Sequence, residues 1–128
     1  MNNNEEIYNR LRLIKIENYI WVIYIGIIFL SWYANSFEKK YFLCNESMAR
    51  EKYRKITIII FSILIVIYLY FLKESINDIK NLKPYDTEEK RNLVYLSFLG
   101  SLFIVFSGLI FLYIAYVDEN LNIEIAFN

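Results

Sequence analysis

The sequence predicts an all-α integral membrane protein: a three-helix bundle whose helices extend beyond the bilayer on one side, with a short irregular or strand-like C-terminal tail. Three observations carry this. The stretch from Leu93 to Val117, LVYLSFLGSLFIVFSGLIFLYIAYV, holds no charged residue, and about 20 apolar residues cross a hydrocarbon core as a helix. Two weaker apolar runs of the same kind lie upstream. The charges are segregated between these runs, nearly all in 1–17, 38–55, 73–92 and 118–124. The spans expected are about 18–36, 56–72 and 93–117, on helices of about 4–36, 47–82 and 87–117, in a single domain covering 1–128.

The first helix is expected to start at Asn3, with Glu6 three places on as a capping-box partner and Glu5 and Glu6 favourable in the first turn. Ile7, Leu11 and Ile14 form an apolar stripe among Arg10, Arg12, Lys15 and Glu17, the pattern of an amphipathic helix. No Gly or Pro separates it from the first span. Tyr19 with Trp21, and Trp32 with Tyr33, sit where amphipathic rings anchor at the two membrane interfaces. Tyr113 and Tyr116 are the anchors expected near the end of the third span. The start of the chain is polar, so no removable signal peptide is read and the first span itself is expected to direct insertion.

The segment FEKKYFLCNES is expected to end the first helix, with Asn45 or Ser47 capping the second. Glu51 and Lys55 make a favourable i, i+4 pair. Pro84 is expected to stop the second helix near Leu82. At roughly 35 residues this helix is about 50 Å long and outruns a hydrocarbon layer of about 30 Å. Asp86 with Glu89 reads as a capping-box start for the third helix, and Glu88 and Glu89 complement its dipole. The tail alternates at Leu121, Ile123, Ile125 and Phe127, which favours a short strand or an interfacial segment.

Three spans place the N-tail and second loop on one side, with three and five basic residues, and the first loop and C-tail on the other, with six and none. The positive-inside rule then leans toward a cytoplasmic N-terminus and an outside C-terminus in the cell membrane. Two juxtamembrane packings are expected in either orientation. The Ile7 stripe meets Ile76, Ile79 and Leu82 on one side. On the other, the basic first loop pairs with Asp118, Glu119 and Glu124 as a weak tether.

Function is less legible. Acidic and basic residues balance at 14 each, which gives no reason to expect nucleic acid as a partner. There is no histidine and a single cysteine, Cys44, so no intrachain disulfide forms and the commonest metal ligand is missing. No cofactor is expected. Asp86, Glu88 and Glu89 are explained as cap and dipole residues rather than a metal site. No ionisable side chain falls inside the spans, which argues against a coupled transporter. Ser97, Gly100, Ser101 and Gly108 share one strip of the third helix, and small residues let helices approach closely in lipid. That strip is the expected helix-packing interface, with the chain's own helices first and a second copy or another membrane protein next.

The partners expected are therefore the lipid bilayer and, through helix contacts, another membrane protein or a homo-oligomer. The function expected is a small non-enzymatic membrane protein of accessory or immunity type, binding another membrane protein or a toxin. A self-assembling pore or holin-like permeabiliser, lined by hydroxyls such as Ser62, Ser97, Ser101 and Ser107, is the second reading. A third comes from Glu74-Ser75-Ile76-Asn77, placed at the end of the second of three spans behind an amphipathic N-terminal helix. In this the chain resembles the small prokaryotic diacylglycerol kinases, which carry a carboxylate–x–x–Asn pattern there. The resemblance implies lipid phosphorylation with Glu74 and Asn77 at the site. The position of the family's further glutamate is Asn81 here, and its first-span glutamate has no counterpart.

Overall fold

The computed structural model describes residues 3–125. Three helices account for almost all of it: α1 (Asn3–Cys44), α2 (Ser47–Lys80) and α3 (Glu88–Val117). Each is long and apolar enough to cross a membrane, and no strand occurs among the described residues. This is the architecture of a membrane helical bundle. At 42 residues α1 runs about 63 Å, roughly twice a hydrocarbon thickness of about 30 Å.

The helices lie side by side, with α2 in the middle. It packs against α1 on one flank and α3 on the other, while no Cα of α1 comes within 8 Å of one in α3. The buried positions reflect this. Ala49, Tyr53, Thr57, Ile60, Phe61, Leu64 and Ile67 make a continuous buried face on α2, whereas α1 buries only Ile20 and Ala34. The core joins Ile60, Phe61, Leu64 and Ala115, with Tyr24, Ile27 and Leu30 of α1 and Phe111 and Leu112 of α3 packed on it. Association of helices in lipid rests on such packing rather than on the hydrophobic effect.

The turns depart from the expected chemistry in instructive ways. Asn3, expected as the cap before Glu6, is already a helical residue of α1. It does not end near residue 36 but continues through FEKKYFLC to Cys44, because nothing in that segment breaks a helix. What stops it is Asn45, held at φ 54° with its N–H donating to the Tyr41 carbonyl at 2.8 Å. Asparagine tolerates the left-handed region and so closes helices as glycine does. Asn45 thus ends α1 rather than capping α2. The N-cap of α2 is Glu46, without a side-chain bond, and Ser47 is already helical.

Between α2 and α3, the Asn81 N–H closes α2 on the Asn77 carbonyl at 3.0 Å, one residue before Leu82 and ahead of Pro84. The N-cap of α3 is Thr87, whose hydroxyl accepts from the Lys90 N–H at 3.1 Å. Asp86, expected as that cap, stands one residue too early. Its carboxylate instead accepts from the Lys83 N–H at 2.7 Å and from Lys90 Nζ at 3.2 Å, while Arg91 donates to the Lys83 carbonyl.

Candidate functional site

The strip read as a helix-packing interface divides in the structure. Gly108 is buried, and a Cβ there would lie 3.2 Å from both Ile65 Cγ1 and the Tyr68 ring. Its missing side chain is what lets α3 come close to α2. Ser101 is half-buried, while Ser97 and Gly100 are exposed, and a Cβ at Gly100 would meet nothing within 4 Å. The contact face of α3 runs instead through Val94, Phe98, Ser101, Val105, Gly108, Leu112 and Ala115, a three-and-four spacing that the uniformly apolar sequence conceals.

The aromatic residues at the expected interfaces all face outward. Tyr19, Trp21, Trp32, Tyr33, Tyr113 and Tyr116 are each exposed, Trp21 edge-on to Tyr24 and Tyr33 edge-on to Phe37. The Ile7, Leu11 and Ile14 stripe is exposed too, at 56%, 59% and 51%. The expected packing of that stripe against Ile76, Ile79 and Leu82 is therefore absent. Helix α1 turns its other side inward, through Leu13, Ile16 and Ile20. Its isoleucines and leucines lie all round, so periodicity alone could not choose the face.

Polar side chains converge at the end where α1 turns into α2. Tyr53 and Thr57 are 5% and 1% exposed, and side-chain hydrogen bonds link Tyr53 to Thr57 and to Glu38 of α1. Tyr53 precedes the apolar run of α2. Burial above all, then the charge of Glu38, pushes its phenol up, so it stays protonated. This cluster was missed in the sequence. A lone Tyr-x-x-x-Thr on an apolar helix face gives no sign that a glutamate from another helix will meet it.

The C-terminal tail comes to the same place. The Asp118 carboxylate accepts from the N–H groups of Asn122 and Ile123 at 2.9 and 2.8 Å, and Leu121 takes φ 53°, so the chain turns back instead of extending as a strand. Leu121, Ile123 and Ile125 consequently do not share a face: Ile123 is exposed and Ile125 buried, while Phe127 lies outside the described residues. Arg50 donates to the Asn120 side chain at 3.1 Å, and Arg54 to the Tyr116 carbonyl at 2.7 Å. The expected pairing of the basic first loop with Asp118, Glu119 and Glu124 does not occur among the described residues: Arg50 reaches the tail at a neutral acceptor, and Arg54 meets the last turn of α3. The carboxylate that these arginines meet is Glu51, their neighbour on α2. An exposed helix-end carbonyl is a good acceptor for a cation because it carries the negative end of the helix dipole.

Other candidate residues stay apart. Glu74 and Asn77 are half-buried on α2, and Asn81 closes that helix. A shallow groove of about 330 Å³ lies between the end of α2 and the start of α3, lined by Asp78, Thr87, Glu89, Lys90, Leu93, Val94 and Ser97. Among the described residues, no three metal-ligating side chains come together. Cys44 is exposed. Comparison with protein-family models, with curated proteins and with solved structures finds no match for this chain.

Proposed function

We propose that this is a small non-enzymatic, multi-pass protein of the cell membrane that acts through helix–helix contacts with another membrane protein, in an accessory or immunity-type role. The supporting observation is the division of the small-residue strip. Gly108 is used inside the chain, but Gly100 is exposed, with open space where a Cβ would stand, and Ser97 is exposed one turn before it. Small residues permit the same close approach between chains as within one. Gly100→Leu should lower the yield of crosslinked partner or homo-oligomer in mild detergent and leave the melting temperature of the chain unchanged. Gly108→Leu should lower the melting temperature itself. Equal crosslinking yields from native protein and Gly100→Leu would remove this face as the contact.

The reading places the N-terminus in the cytoplasm and the tail outside, on the count of basic residues. Cys44, exposed next to the turn between α1 and α2, reports it directly. An impermeant thiol reagent should label it in intact cells, and protection until lysis would reverse the orientation.

A further inference from the structure

We propose that residues 118–125 form a latch that closes one end of the cleft between α1 and α3 over α2, and that this latch opens as a unit. The side-by-side arrangement leaves room for a closing element. The Cα atoms of α1 and α3 stay more than 8 Å apart, so a third segment can lie on α2 between them. The tail supplies that segment at the end holding the turn between α1 and α2. Ile125 is buried in one cluster with Ile60, Phe61, Leu64 and Ala115, and Glu124 comes near enough to Tyr53 to act on it electrostatically, as Glu38 of α1 does. The tail thus reaches from the end of α3 to an α2 residue that α1 also reaches.

Its attachments are those of a detachable part. One buried apolar side chain, Ile125, serves as the plug. One arginine donor from α2, Arg50, holds its base at Asn120. The bend is made locally by Asp118 and Leu121. None of these bonds belongs to a helix, so all can be lost without unwinding α2 or α3. Segments of few contacts open at a small fraction of the global free energy. Thr57 lies one turn from Tyr53 and one turn from Ile60 and Phe61, between the two places on α2 that the tail reaches. Ser75, equally buried at 3% exposure, lies at the far end of the same helix.

These two positions make the test. In a Cys44→Ser background, Thr57→Cys and Ser75→Cys each place a thiol of similar size at a buried site, and the rate of labelling by a water-soluble maleimide is measured in detergent. Ending the chain after Glu119, or substituting Ile125→Asp, should speed labelling of the Thr57→Cys variant by about tenfold and leave that of Ser75→Cys unchanged. Asp118→Ala, which removes both acceptors of the bend, should move the first rate in the same direction with less disturbance. An unchanged rate at position 57, or an equal rise at both positions, would overturn the latch.

Discussion

The two ends of this molecule are closed by different means. Where α2 passes into α3, the chain is tied by its near neighbours: Asp86 to Lys83 and Lys90, Thr87 to Lys90, and Arg91 to Lys83. At the other end, Arg50 and Arg54 reach residues 70 and 62 positions away, and Tyr53, Glu38 and Ile125 bring three segments together. A locally tied end survives the loss of any distant element. A distantly tied end stiffens the assembly but depends on every member.

That contrast is broken most strongly at Ile125. Ile125→Asp unpacks a buried isoleucine and offers a carboxylate no partner, so it should lower thermal stability by about 1.4 kcal/mol, the equivalent of a tenfold change in opening. The measurement is melting followed by near-ultraviolet circular dichroism in detergent, and a loss below about 0.5 kcal/mol, the range of surface changes, would mean the tail does not matter to the core.

A smaller effect is expected at the opposite end. The Lys83 backbone N–H, and then Lys90, hold the Asp86 carboxyl below its ordinary value. A carboxyl depressed on folding stabilises above its unfolded value of about 3.9 and loses that contribution as pH falls through the lower folded value. The native protein should therefore lose stability relative to Asp86→Asn below about pH 4, with amide exchange at Lys90 and Arg91 rising first. Parallel pH profiles for the two proteins would show that this carboxylate adds nothing.

The smallest effect belongs to the start of α1. Residues 3–12 are exposed throughout, so deleting 3–10 should change thermal stability by no more than about 0.5 kcal/mol. A larger loss would reveal a contact made by the Ile7 and Leu11 stripe with something other than this chain's helices.

The resemblance to lipid kinases rests on the three-span outline with its amphipathic start and on Glu74-Ser75-Ile76-Asn77, which lie near the end of α2. The strip of small residues was legible as a contact surface, yet its division was not. Whether a given small residue faces α2 or the outside depends on a rotation of α3 of less than half a turn. In a helix apolar on every side, no polar edge fixes that rotation.

By itself, the sequence determined the three helices, the membrane setting and the stop of α2 ahead of Pro84. Each follows from short-range physics: apolar length against bilayer thickness, and the restriction that a proline puts on the residue before it. Only the tertiary structure decided that Asn45 ends α1, that α1 turns the Leu13 side inward, and that Gly108 rather than Gly100 meets α2. It alone also decided that the alternating tail folds back to bury Ile125. These are choices among locally equivalent conformations, and the energy that separates them comes from packing between residues far apart in the chain.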